Sequence, residues 1–130
     1  MRYQQKQRNV NKTERQRYEA YGQSCVEQSN ACLLDMINNF KIAHKEFSGG
    51  SGGTIDRDLD WDAFLSNQNE SFRKIMSRKR ARGVPLNYQV QIIRKWNHII
   101  NTFKNASRMG TQNAADNRYK EAIAVLNRVF

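Results

Sequence analysis

The chain has 130 residues, with 22 Lys plus Arg against 12 Asp plus Glu and a formal net charge of +10. This length permits one domain with a sizeable core. The charge excess opposes compaction and points to an anionic partner such as nucleic acid or an acidic surface. No apolar run approaches a membrane span, and no P-loop or nucleophile elbow is present, so neither membrane nor nucleotide-hydrolase chemistry is expected.

Residues 1–12, MRYQQKQRNVNK, lack the apolar stretch of a secretory signal. They read as a basic flexible arm carrying Arg2, Lys6, Arg8 and Lys12 among Gln and Asn. Such arms order on nucleic acid, or serve as solubilising tails.

Residues 13–47 predict one long amphipathic helix capped by Thr13. Tyr18, Tyr21, Cys25, Cys32, Met36, Phe40, Ala43 and Phe47 recur at steps of three, four or seven, and Leu33 and Ile37 widen the stripe. Gly22 weakens the helix locally. Cys25 and Cys32 are separated by about 10 Å of helix axis, too far to form a disulfide with each other. Reduced, buried cysteines suit an intracellular protein, cytoplasmic or nuclear.

Residues 48–53 spell SGGSGG. That is the composition of a flexible linker, whereas natural loops mix Asn, Asp and Pro with Gly. The flanking EF and GT are what two common cloning sites encode. The segment therefore reads as an engineered joint, either replacing a loop or tethering two chains. It spans roughly 13 Å on average, enough for antiparallel neighbours about 8–10 Å apart, so the first two helices are expected to dock side by side.

Residues 54–130 predict three more helices. In DLDWDAFLSNQNESFRKIMSRKRAR, the inward stripe is Trp61, Phe64, Leu65, Phe72, Ile75 and Met76, and acids crowd the start, where the helix dipole favours them. Gly83 and Pro85 end this segment. The next begins near Pro85, with Leu86, Val90, Ile93, Trp96, Ile100 and Phe103 inward, Ile92 and Ile99 beside them, and Gly110 placed to terminate it. The last starts at a Thr111 cap and points Ala115, Tyr119, Ala122, Ile123, Leu126, Val129 and Phe130 inward. The expected fold is all-α: a four-helix bundle, with one long N-terminal helix joined by the linker to three helices.

No motif names a reaction, and no catalytic residue, metal or cofactor is expected. DRDLDWD places alternate acids as a calcium loop does, but Trp61 stands where the loop needs Gly and Asn67 where it needs Glu. His44 and His98 lack Cys or carboxylate neighbours at ligand spacing and read as surface residues. Trp61 and Trp96 can stack on bases, yet both lie on apolar stripes and read as core.

Three features point to nucleic acid. Arg73, Lys74, Arg78, Lys79, Arg80 and Arg82 cluster at the end of the second helix and can neutralise phosphates; the plain alternatives are a nuclear import patch or a solvated helix end. The basic arm is the second feature. The third is a polar stripe on the third helix, Asn87, Gln91, Arg94, His98, Asn101 and Asn105 with Lys95 beside it, whose side-chain types pair with base edges or phosphates. The RGVPL turn before it is short and contains Gly, as in helix-turn-helix units, but both flanking helices are long for the spacing of that motif. The leading expectation is a non-enzymatic nucleic-acid-binding accessory protein acting on DNA or RNA. The alternative is a protein-interaction module, in which residues 1–47 are a partner helix tethered to a three-helix domain.

Overall fold

A computed structural model describes residues 2–50 and 52–128, with side chains from residue 14 onward. Among these residues all regular secondary structure is helical: α1 (Arg2–Ser48), α2 (Trp61–Ser77), α3 (Lys79–Arg82), α4 (Leu86–Ser107) and α5 (Gln112–Asn127). Aromatic contacts set the directions. Phe47 stacks on Phe64 at 4.3 Å, and Arg80 near the end of the α2–α3 unit lies close enough to Cys32 to influence its thiol, so α1 and α2 are antiparallel. Phe40 meets Trp96 and His44 meets Phe103, so α1 and α4 run parallel. Trp61 pairs with Phe103 and Phe72 with Trp96, which makes α2 and α4 antiparallel. α5 folds back along α4, its main neighbour.

The core lies where these stripes meet. Leu33, Met36, Ile37 and Phe40 of α1 insert among Trp61, Phe64 and Leu65 of α2 and Ile92, Trp96, Ile99 and Phe103 of α4, with Tyr119 and Leu126 of α5. Cys25 and Cys32 are buried and free. Trp61 and Trp96 are core residues, and each indole N–H has a partner: Trp61 donates to the Asp56 carbonyl (2.7 Å), and Trp96 to Asn69 Oδ1 (2.8 Å).

Several elements depart from the sequence expectation. The described residues form five helices rather than four, because the second predicted helix breaks at Arg78, whose backbone is extended (φ −65°, ψ 148°). The break re-aims the chain so that Ala81 and Val84 both become buried, while Lys79, Arg80 and Arg82 around them stay in solvent. α2 starts at Trp61 rather than among the preceding acids, with Asp60 as its cap accepting from the Ala63 N–H (3.1 Å). α1 has helical backbone from Arg2, upstream of the Thr13 cap, while the side chains of Arg2, Lys6 and Arg8 lie outside the described residues.

The apolar stripes are also shorter than their sequence period suggests. Tyr18 and Tyr21 are 73% and 63% exposed. α1 is roughly 70 Å long and α4 roughly 33 Å at 1.5 Å per residue, so the start of α1 has no neighbour to bury its seam. Leu86, Val90 and Ile93 are exposed as well. α4 is rotated so that Ile92, Trp96, Ile99 and Phe103 face the core, since α1, α2 and α5 together take its Ile92/Ile99 side. Val129 and Phe130 lie outside the described residues. His44, expected at the surface, is half-buried, and its Nε2 lies 2.6 Å from the Tyr119 hydroxyl.

α1 ends in the Gly/Ser stretch, where Gly49, Gly50 and Gly52 adopt left-handed φ near 70°, a conformation that favours glycine. Nothing lies within 4 Å of where their Cβ atoms would be. Order resumes at once afterwards. Ile55 is buried, its N–H donates to Asp116 Oδ1 (2.9 Å), and its carbonyl accepts from Gln112 Nε2 (2.8 Å). On the other flank, Phe47 stacks on Phe64. The residues on both sides of the glycines therefore belong to the packed fold.

Candidate nucleic-acid interface

The basic cluster is positioned by the α2–α3–α4 connection. Arg73 and Lys74 stand on the exposed side of the last turns of α2. After the break at Arg78, α3 is a single turn whose one buried residue is Ala81. Three backbone bonds close it: Arg82 N–H to the Arg78 carbonyl, Gly83 N–H to the Lys79 carbonyl and Val84 N–H to the Ala81 carbonyl, at 3.0–3.1 Å. Gln89 Nε2 donates to the Val84 carbonyl (2.6 Å), fastening the turn to the start of α4. Because Ala81 takes the inward position, Lys79, Arg80 and Arg82 project into solvent, and Arg78 with them.

Among the described residues none of these cations has a carboxylate within ion-pair distance. Among the described residues the ion pairs are Arg108–Asp62 (3.2 Å) and Arg118–Glu121 (3.1 Å), and neither involves the cluster. Arg80 and Arg78 act on one buried ionisable group, the Cys32 thiol. Burial raises its pKa, Arg80 pulls it down, Asp35 raises it and Arg78 lowers it, in that order of size. The net direction is upward, so the thiol stays protonated and does not neutralise the arginines.

A wider pattern escaped the residue-by-residue reading. Between Glu70 and Asp116 the chain carries ten Lys and Arg and no acid. The other twelve cations match the twelve acids, so the entire net charge of +10 falls on this stretch. It comprises the end of α2, all of α3 and α4, and the turn into α5. A simple charge plot along the sequence carries this signal.

The six polar-stripe residues of α4, from Asn87 to Asn105, are all exposed. Gln91, Arg94 and Lys95 lie one to three turns along α4 from the α3 cations. Gln91 and Lys95 line a groove of about 200 Å³ against Val26, Ser29 and Leu33 of α1. Lys95 and His98 line another of about 400 Å³ with Val125 and Arg128. The structure thus gathers Arg78, Lys79, Arg80 and Arg82 at one end of the bundle beside Arg73 and Lys74, and sets Gln91, Arg94 and Lys95 apart on the flank of α4. Among the described residues no group of His, Cys, Asp or Glu is arranged to hold a metal, and no helix is long and apolar enough to cross a membrane.

No protein-family model matches the chain, and neither a curated protein nor a solved structure is similar to it.

Proposed function

We propose that the protein is a non-catalytic nucleic-acid-binding helical accessory factor whose phosphate grip is the α2–α3 end of the bundle. The observation that carries this reading is a cluster of exposed cations, unpaired among the described residues, inside a 45-residue run without a single acid. Concentrating the whole net charge on one region costs self-repulsion, and a polyanion relieves it. Phosphates neutralised by such a cluster release counterions, giving an affinity that falls steeply with salt. Gln91, Arg94 and Lys95 extend the contact along α4 and offer groups that pair with bases or phosphates. The basic residues Arg2, Lys6 and Arg8, whose side chains lie outside the described residues, add further positive charge for a polyanion.

The test is a fluorescence-anisotropy titration of labelled oligonucleotides over a salt series. Replacing Arg78, Lys79, Arg80 and Arg82 together by Ala leaves the fold intact, because all four are exposed. It weakens binding and lowers the salt slope by roughly 0.9 per lost duplex phosphate contact. Absence of binding by the unaltered protein at low salt overturns the reading.

A second reading treats α1 as a partner helix tethered to a three-helix receptor. Two observations favour it: the continuous inserted stripe Leu33, Met36, Ile37 and Phe40 suits helix-in-groove binding, and Gly49, Gly50 and Gly52 of the SGGSGG joint have open space where a Cβ would stand, while both flanks are packed. The chain from Thr54 onward, made alone, would then fold and capture residues 1–47 in trans. Failure to do so sinks this alternative.

A further inference from the structure

The seam of α1 does not stop where the bundle stops. Tyr18, Tyr21, Cys25, Ser29, Cys32 and Leu33 follow one face at helical spacing. From Cys25 onward that face meets buried surroundings, whereas Tyr18 and Tyr21 are largely exposed. Helical spacing sets their direction: Tyr21 stands one turn before the buried Cys25 on the same face, and Tyr18 one turn further out. Further along the same face, α3 packs against α1, with Arg78 and Arg80 close enough to Cys32 to act on it. The overhanging part of α1 and the α2–α3–α4 end of the bundle therefore form a notch. One wall carries two tyrosine rings. Beside α1, at the level of Cys32, stand the exposed cations of the α3 turn, Arg78, Lys79, Arg80 and Arg82. Arg15 and Arg17 flank the tyrosines on α1, Glu19 faces away by helical spacing, and Glu14 lies on the tyrosine face one turn beyond Tyr18.

We infer that this notch holds an unpaired nucleic-acid strand, with Tyr18 and Tyr21 stacking on its bases and the α3 cations holding its phosphates. The inference rests on the nucleic-acid reading above and narrows its ligand to single-stranded DNA or RNA. A duplex hides its base faces in its own stack, so exposed rings gain little from it, while an unpaired strand offers every base face. Aromatic rings beside a cationic track are what sequence-tolerant strand binding requires. The dimensions agree. Tyr21 and Tyr18 precede Cys32 by eleven and fourteen residues, about 16 and 21 Å of helix axis. At the roughly 3.4 Å rise of a stacked strand, that is about five or six nucleotides.

The probes are a fluorescent dT 12-mer, its 12-base-pair duplex counterpart and an abasic 12-mer, titrated against the full chain by anisotropy over a salt series. The unaltered protein is expected to bind dT more tightly than duplex. The double variant Tyr18→Ala/Tyr21→Ala is expected to lose tenfold or more on dT, as lost base stacking does. Its salt slope and duplex affinity stay unchanged, because no cation is removed. Tyr18→Phe/Tyr21→Phe keeps the affinity, since stacking needs the ring and not the hydroxyl. The abasic strand binds both the unaltered protein and the Ala variant equally. If the Ala variant binds dT as well as the unaltered protein while the four-cation variant does not, the stacking inference is wrong and the phosphate grip stands. If sedimentation shows dimers that dissolve on Tyr18→Ala/Tyr21→Ala, the seam belongs to a second copy of the chain and the inference is overturned. If no probe binds at low salt, the nucleic-acid reading falls and takes this inference with it.

Discussion

Replacing Trp96 by Ala tests the packing on which every placement above depends. The indole is 2% exposed. It lies flat on Phe72 (5.1 Å, 4° between planes), meets Phe40 edge-on (5.8 Å, 86°), and donates its N–H to Asn69 Oδ1 (2.8 Å). It is thus the side chain where α1, α2 and α4 touch at one point. Truncating a core aromatic costs about 3–5 kcal/mol, combining lost transfer energy with the cavity left behind. Losing the Asn69 partner adds little, because Asn69 is only half-buried and water can reach it. Against a total stability on the order of 5–15 kcal/mol, the loss is large without abolishing the fold. Urea unfolding followed by circular dichroism is the assay. With a slope of about 2 kcal/mol/M, the midpoint should fall by about 2 M. Trp96→Phe, which keeps most of the ring, should lose much less. A midpoint shift below about 0.5 M at unchanged slope for Trp96→Ala would refute the burial and return Trp96 to the candidates for base stacking.

Three further outcomes are expected. Burial lowers the pKa of His44, and its surroundings are the rings of Phe40, Trp61, Phe64 and Phe103 with Tyr119 as the titratable neighbour. The unfolded chain then binds the extra proton first, so stability is full above about pH 6.5 and declines as pH falls below it toward the lowered native value; His44→Phe should flatten that decline relative to the unaltered protein in urea titrations from pH 7.5 to 5, and parallel curves would contradict it. Doubling the SGGSGG segment should cost only about 0.6 kcal/mol in a urea midpoint, because loop closure depends weakly on length, and a loss of several kcal/mol would show the glycines to be a required turn. Asp116→Ala removes the acceptor for both the Ile55 N–H and Gln112 Nε2; it should destabilise by about 1–3 kcal/mol through the orphaned, buried Ile55 amide, and faster hydrogen exchange at Ile55 is the direct readout.

The fold class was legible because long helices average over their errors. Met36, Phe40, Trp61, Phe64, Trp96, Phe103 and Tyr119 repeat at helical spacing, and the structure buries all of them. One cap was legible too: Thr111 accepts from the Ala114 N–H as its position suggests. Limits of contact were not legible. Tyr18 and Tyr21 continue the seam of α1 in perfect register, and only the length of the neighbouring helices decides that nothing covers them. Leu86, Val90 and Ile93 fit a period of three and four as well as Ile92, Trp96 and Ile99 do, and the choice depends on which side α1, α2 and α5 occupy. His44 was misjudged for a related reason. Its partner Tyr119 is 75 residues away in the chain, so no local spacing announces the pair.

The break at Arg78 shows how packing and charge act on one another in this chain. A straight continuation of α2 would carry Ser77 to Arg82 outward past the end of the core, as a charged helix with no partner. Extending Arg78 instead returns Ala81 and Val84 to the interior. The gain is two small buried side chains and the fastening of the Val84 carbonyl by Gln89. The cost is that Lys79, Arg80 and Arg82 are forced together on one turn, with Arg78 at its start and no acid within reach in sequence. A one-turn helix has almost no stability of its own, and like charges weaken it further. The same four cations packed only for stability would be poorly chosen, since Gln or Ser at these exposed positions would leave Ala81 and Val84 buried without the repulsion. That imbalance between what the turn contributes to the core and what its charge costs is the physical reason to seek a polyanion at this end of the bundle.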